Sequence, residues 1–408
     1  MQKLFVTILI MLSIWGLKAQ QPVSMEEAYQ KILSNNLNLR GGALKIDAQK
    51  ILKQSTFSLD PLNVSAEIGQ FNSDKTDHKF SVAQNFRFPG FYQKQKQVFT
   101  EEWKQSLLNL SLQKWQLKRE LAVLFNELNY LDAKYALIKK ADSLYGVYYD
   151  KAALRLRKGE SNVLEKSTAE NYKSQAHFQL LAIEKDKAVT EEKLNFLIND
   201  GNSYTNEKQV FSAQNLLLSE LENPQGNPYV ETLKQEQEVQ KAKTLEAKAR
   251  ISPNISLGYN NTSLIGNQGD GAYNDGSRRF HSAVIGVGLP LFNKAQKLAI
   301  EAQRVNEKIA ENNYQQALNN LNMQYKQYAI QYRNALKETD YFQHDGLKNA
   351  ELILKTANLQ FYNGEINYLD YVLLVNQALD IRNRGIDSVK RLNDAVTEMN
   401  ALQQTKID

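Results

Sequence analysis

The chain has no cysteine. Disulfides, thiolate chemistry and a lipid-bearing cysteine at the N-terminus are excluded with it. Histidine is sparse: His78, His177, His281 and His344 are scattered and form no His-x-x-x-His pair. No metal-ligand spacing is present, and no enzyme or cofactor site is read. The one glycine-rich stretch, Gly266-x-x-Gly269-x-Gly271, falls between two strand patterns and opens no helix. It reads as a loop rather than a phosphate cradle, and Asp270 and Asp275 beside it read as solvated loop acids. Proline is absent between Pro89 and Pro224 and again after Pro290. Such gaps leave room for helices far beyond the usual ~3 turns. Beyond Leu17 no apolar run is long enough for a membrane helix.

What is present begins with a leader. Met1-Gln2-Lys3 is a short basic start, Leu4 to Leu17 is nearly all apolar, and Ala19 is small. Residues 1–19 read as a secretory signal cut between Ala19 and Gln20. The alternative is a membrane anchor, for which the run is short. Without Lys3 and Lys18 the formal charge falls from +5 to +3, so no nucleic-acid footprint remains.

One phrase occurs twice. Phe86-Arg87-Phe88-Pro89-Gly90-Phe91 is matched by Val287-Gly288-Leu289-Pro290-Leu291-Phe292, and Gln95-Lys96 by Gln296-Lys297. An alternating strand pattern precedes each proline and a long helical pattern follows it. Proline cannot donate to a ladder but suits a helix start, so Pro89, Phe91, Pro290 and Phe292 mark two strand-to-helix joints.

In chain order, Ser24 with Glu27 forms a capping box, and a helix is predicted to about Ser55. Leu62, Val64, Ala66 and Ile68 alternate with Asn63, Ser65, Glu67 and Gly69. After a polar turn at 72–77, Phe80, Val82, Phe86 and Phe88 alternate with Ser81, Ala83, Asn85 and Arg87. This is a hairpin over about 61–88 with one apolar and one polar face. Trp103, Leu107, Leu110, Leu117, Leu121, Leu124, Leu128, Leu131 and Tyr135 then follow heptad spacing. A helix over 92–157 would be on the order of 100 Å long. Gly159 interrupts, and a second helix runs from about Val163 to Asn199. Residues 200–226, with Pro224 and then Pro228, read as a linker with a short helix near Leu216–Leu221.

The second half repeats the order. A helix covers about 229–250. A second hairpin over about 254–289 carries Ile255, Leu257 and Tyr259 on one strand and Ala283, Ile285, Val287 and Leu289 on the other. Leu318, Leu321, Tyr325, Tyr328, Tyr332 and Ala335 mark coiled-coil core, and a last helix runs to about Gln403. Gly364 interrupts as Gly159 does: Gly159-Glu160-x-Asn162-x-Leu164-Glu165 matches Gly364-Glu365-x-Asn367-x-Leu369-Asp370. The chain reads as residues 20–222 and 223–408, two copies of one unit.

Four strands cannot close a barrel in lipid, where an open edge leaves backbone groups unpaired. Single-chain barrels begin at about eight strands. A membrane role therefore requires self-association, and three copies supply twelve strands. On this register Glu67, Lys79, Asn85 and Arg87 face the lumen, and Phe80, Phe86, Phe88, Phe91 and Tyr92 form an aromatic girdle. The alternative is a soluble periplasmic coiled-coil scaffold or adaptor, which leaves the apolar strand faces without a cover.

The leader, the half-repeats, the P-x-F joint and the G-E-x-N-x-L turn together resemble the TolC family of outer-membrane efflux proteins, over about residues 24–404. The resemblance implies a mainly α fold with a small β part. A homotrimer would share a twelve-stranded outer-membrane barrel and a helical barrel crossing the periplasm. The implied partners are outer-membrane lipid, a periplasmic adaptor and an inner-membrane pump of RND or ABC type, with no cofactor. It makes Gly159, Glu160, Asn162, Gly364, Glu365 and Asn367 adaptor-docking tips. Glu365 and Asp370 lie nearest the family's gate, although helix-start acids favoured by the helix dipole are an equal reading.

Overall fold

The computed structural model describes residues 20–55, 57–216 and 226–403. The expected leader, 1–19, lies outside them, as does most of the helix expected near Leu216–Leu221. The helices are α1 (Met25–Asn35), α2 (Leu37–Gln54), α3 (Pro89–Arg157), α4 (Val163–Ile198), α5 (Pro228–Ala249), α6 (Lys294–Tyr341), α7 (Leu347–Tyr362) and α8 (Tyr368–Gln403). The strands are β1 (Gln21–Val23), β2 (Asn63–Gly69), β3 (Asp77–Arg87), β4 (Tyr204–Asn206), β5 (Asn254–Thr262), β6 (Gly266–Asn267), β7 (Tyr273–Asn274) and β8 (Phe280–Gly288). They divide into two compact units, neither of which is a sequence half. The first takes Met1–Gly41, Ser111–Pro228 and Asn319–Asp408; the second takes Gly42–Leu110 and Tyr229–Leu318.

The first unit is helical. The expected stripe of α3 is buried at Leu117, Leu121, Leu124, Leu128 and Leu131 and continues as Leu137, Ala141, Tyr145, Tyr148 and Ala152. Tyr332 and Ala335 of α6 share a core with Leu392, Val396 and Met399 of α8, and Tyr325 and Tyr328 pack against it. Those tyrosines are core, as their spacing predicts. β4, inside the region read as linker, forms a short parallel pair with β1 near the start of the described residues.

The second unit holds an antiparallel sheet in the order β2-β3-β5-β8. Both hairpins form as expected, and β3 joins β5 along Lys79 to Arg87. β2 and β8 each pair on one side only. At the loop end, the fully buried Asp77 gathers the two hairpin loops. Its carboxylate accepts from the Phe71 and Asn72 amides, both at 3.2 Å, and from Ser263 Oγ and the Ile265 amide, both at 2.6 Å. Asp77→Ala is expected to strip these donors of their partner at about 1.5–3 kcal/mol. Limited proteolysis should then cut at 71–76 and 263–279 while the strands resist.

Three expectations are corrected. The helix expected to reach Ser55 breaks at Asn36, whose Oδ1 caps α2 by accepting from the Asn38 and Leu39 amides at 3.0 and 3.3 Å. The helix expected over about 229–250 forms as α5, opened by Pro228, where a missing amide proton costs nothing. The helix after Pro290 carries a π-turn at Phe342–Gly346 before α7. Finally, Pro89 opens α3 but Pro290 does not open α6, which starts at Lys294. At that joint the Leu291 amide bonds the Leu289 carbonyl at 2.9 Å, and the first helical bond runs from Lys297 to Asn293. Pro290 thus ends the ladder of β8 rather than starting a helix.

Candidate functional site: the two sheet faces and the helix-hairpin turns

Cross-strand register decides what each sheet face can do. Rows such as Val82–Tyr259–Ala283 and Phe86–Ile255–Val287 put most apolar residues of the four strands on one face, with Gln84 among them, while Phe280 and Val284 of β8 fall on the other. Val64, Ile68, Phe80, Leu257, Tyr259, Ile285 and Val287 there are exposed. In water such a band would be costly, because each side chain forgoes about 1.5–3 kcal/mol of burial. The opposite face carries Ser65, Ser81, Ala83, Ser256, Gly258, Ser282 and Gly286, which are small. Gly286 faces Ser256 closely there: a Cβ would stand 2.3 Å from Ser256 Oγ and make that hydroxyl turn away.

Glu67, Lys79, Asn85 and Arg87 all lie on this polar face. Glu67 and Lys79 are cross-strand partners joined at 3.2 Å. Arg87 lies at the joint end, its guanidinium 4.7 Å from the centre of the Phe91 ring. Phe91 is buried there and does not join an exposed girdle, whereas its sequence counterpart Phe292 is 99% exposed. The joints match in letters but differ in packing.

Both G-E-x-N-x-L phrases build one local structure in the first unit. After α3 the Glu160 amide bonds the Arg155 carbonyl at 2.9 Å and the Gly159 amide bonds Leu156 at 3.1 Å. After α7, Glu365 bonds Gln360 at 2.8 Å and Gly364 bonds Phe361 at 3.2 Å. This is the Schellman pairing, and it needs the left-handed φ of +75° at Gly159 and +74° at Gly364. Asn162 and Asn367 then cap the next helices, accepting from the Glu165 and Asp370 amides at 2.9 Å each. So glycine and asparagine shape the turns, while Glu160 and Glu365 contribute backbone bonds and keep their carboxylates at the surface. Asp370 accepts from Asn367 Nδ2 at 2.7 Å, which uses it as a helix-start acid. At the first turn Glu165 is buried and pairs with Arg155 at 2.8 Å; Gln360 stands at the matching place in the second.

Behind the turns lies a cluster that sequence reasoning passed over. Tyr145, Tyr148, Tyr368 and Tyr371 are buried with Ala141, Ala152, Ala169, Ala357 and Val375, joining α3, α4, α7 and α8. The signal was available as two i, i+3 tyrosine pairs, 145/148 before the first glycine and 368/371 after the second. Tyr371 stacks on Phe361 at 4.4 Å and meets the edge of Tyr148 at 4.9 Å. The Tyr148 and Tyr371 hydroxyls bond each other, and Tyr371 Oη donates to Asn358 Oδ1 at 2.5 Å. Burial pushes Tyr145 and Tyr371 up from 10.0 to about 12. Burial and, after it, the charge of Glu165 raise Tyr368 as well.

These shifts give an alkaline limit. An unfolded tyrosine releases its proton near pH 10 and these folded ones near pH 12. Between those values the unfolded state holds fewer protons, so stability falls as pH rises, by about 1.4 kcal/mol per pH unit for each tyrosine. Below pH ~10 they add no slope. The denaturant midpoint is expected to drop steeply above that pH, and Tyr371→Phe should flatten the drop.

Among the described residues no group of three His, Asp or Glu side chains could hold a metal ion. No helix among them is long and apolar enough to cross a membrane. No protein-family model matches the sequence, and no curated protein matches it. Solved structures do. The outer membrane protein VceC of Vibrio cholerae is 13% identical, with 93% of this chain and 96% of that one covered at a TM-score of 0.75. The CmeC outer membrane channel of Campylobacter jejuni is 14% identical, with 96% and 90% covered at 0.74. The MtrE outer membrane channel of Neisseria gonorrhoeae, in its open state, is 13% identical, with 93% and 89% covered at 0.72. The fold of this chain is that of the outer-membrane channels. More narrowly it is the TolC-type fold, in which strand hairpins alternate with long helical hairpins.

Proposed function

We propose that this chain is a TolC-family channel of the outer membrane, the exit conduit of a tripartite export system. The observation that carries the reading is the four-stranded sheet. Its apolar face is exposed along its length, its other face is mostly small or polar, and both its edges are open. Three copies close those edges into twelve strands, with lipid against the apolar face and water inside. Residues 20–222 and 223–408 are the duplicated halves. The conduit is passive. An inner-membrane pump, of RND or ABC type, and a periplasmic adaptor deliver small molecules or metal ions to it. The free energy of transport comes from the pump. A soluble scaffold would leave the apolar band in water. Cell fractionation tests the choice: the account expects the protein in the outer membrane as an oligomer, and a periplasmic monomer would contradict it.

The turns at Gly159 and Gly364 are the adaptor-docking tips, with Glu160 and Glu365 offering carboxylates and with Glu365 and Asp370 nearest the gate. Glu160→Lys or Glu365→Lys is expected to lower export several-fold without changing assembly, because the turns are made by glycine and asparagine. Drug- or metal-sensitivity assays alongside outer-membrane yields check this. Unchanged sensitivity would place docking elsewhere.

A further inference from the structure

The apolar sheet face is not apolar at its loop end. The β3 row runs His78, Phe80, Val82 and the β8 row His281, Ala283, Ile285, with Asn261 of β5 facing His281. Just before β8, Arg279 lies over the same face, its guanidinium 5.7 Å from the Phe80 ring centre. Its Nε donates to Asn261 Oδ1 at 2.5 Å and its Nη2 to the His78 carbonyl at 3.3 Å and the Asn261 carbonyl at 3.4 Å. These bonds fix the side chain through Nε and Nη2. His281 stacks on Tyr259 at 5.9 Å.

Charge is the informative quantity. On the polar face at this height Lys79 is balanced by Glu67. Among the described residues no carboxylate pairs with Arg278, Arg279, His78 or His281. Asp77, next in sequence, is fully buried and spends both oxygens on the loop amides and Ser263. The apolar face therefore ends in an uncompensated guanidinium flanked by imidazoles, while the other ends in the Glu67–Lys79 pair and in Arg278, whose guanidinium lies 5.4 Å from the Phe280 ring. A guanidinium held through Nε and Nη2, with Nη1 outside those bonds, and two imidazoles, that of His281 bonded through Nδ1 to Tyr259 Oη at 2.5 Å, stand above an apolar band, and a phosphate above acyl chains fits that arrangement.

We infer that Arg279, His78 and His281 form a rim that binds the phosphate headgroups of anionic lipid in the leaflet at the loop end of the sheet. The inference rests on the channel reading, because it needs the apolar face in lipid.

The test uses the full chain folded into vesicles of phosphatidylcholine alone or mixed with phosphatidylglycerol, gently extracted and weighed with its retained lipids. The wild type is expected to enrich phosphatidylglycerol about fivefold over its share, the effect of one cation at an anionic surface. Arg279→Gln and His281→Ala should each bring the enrichment toward unity, and Arg279→Lys should keep most of it. If Arg279→Gln does not fold, His281→Ala carries the comparison. Insertion without enrichment in the wild type, or enrichment unchanged in the folded variants, overturns the rim. Failure to insert into either vesicle overturns the channel reading instead.

Discussion

Ile285→Arg is expected to cost about 2–4 kcal/mol and to remove most of the assembled protein from the outer membrane. Ile285 stands mid-strand on β8, opposite Leu257, and is 77% exposed. Two solvents give opposite forecasts for such a position. In water an exposed isoleucine changed to arginine is worth within about 0.5 kcal/mol. In lipid the guanidinium must be dehydrated or drag water into the bilayer. Ser256→Arg is the matched control. Ser256 lies on the polar face opposite Gly286, whose missing side chain leaves room for a longer one. Its assembly and yield should equal those of the wild type. The measurement is the amount of assembled protein in outer-membrane fractions, with urea midpoints for both variants. Equal tolerance would mean that the apolar face meets water.

Tyr371→Ala is expected to lose about 3–5 kcal/mol, the usual loss for a large aromatic removed from a packed core. Its side chain is 1% exposed and lies between the Phe361 and Tyr148 rings. Truncation leaves two aromatic rings without a partner in a cluster of tyrosines, valines and alanines that fills the space only in part. Tyr371→Phe keeps the ring and should lose only about 0.5–1.5 kcal/mol, since Asn358 is exposed and water can replace the hydroxyl. Tyr362→Ala, on a side chain 89% exposed, should stay within about 0.5 kcal/mol. Denaturant midpoints rank the three. Protease cleavage at residues 159–165 and 364–370 should rise only for Tyr371→Ala.

Much of the sheet was legible because a half-buried strand writes its face directly into every second residue. Val64, Phe80, Leu257 and Ile285 were enough to set the faces that the register pairs. Glycine and asparagine at the turns were equally readable, as each satisfies a local backbone need that few other residues meet. What escaped was tertiary. The pairing of β3 with β5 joins segments from different halves and leaves no periodic trace. The break at Asn36 depends on a side chain reaching the Leu197 carbonyl at 3.2 Å. The π-turn sits where Gly346 and Gly385 allow close packing around Phe342. Tyr145, Tyr148, Tyr368 and Tyr371 were hidden because tyrosine at helical spacing does not say which other helix it meets. Pro290 misled because proline both ends ladders and starts helices, and only the hydrogen bonds at 289–297 separate the two uses.

The chain's lack of cysteine allows a direct measurement of closure. Ser65→Cys together with Ser282→Cys places one thiol on each open edge strand, both on the polar face and in one row across the sheet through Ser81 and Asn260. A short bismaleimide added to outer-membrane fractions joins thiols only where β2 of one copy lies beside β8 of another. The account predicts a denaturant-resistant ladder that stops at three chains, with each single variant giving none. Unlinked monomer, or a ladder that continues past three, would contradict a closed trimeric barrel.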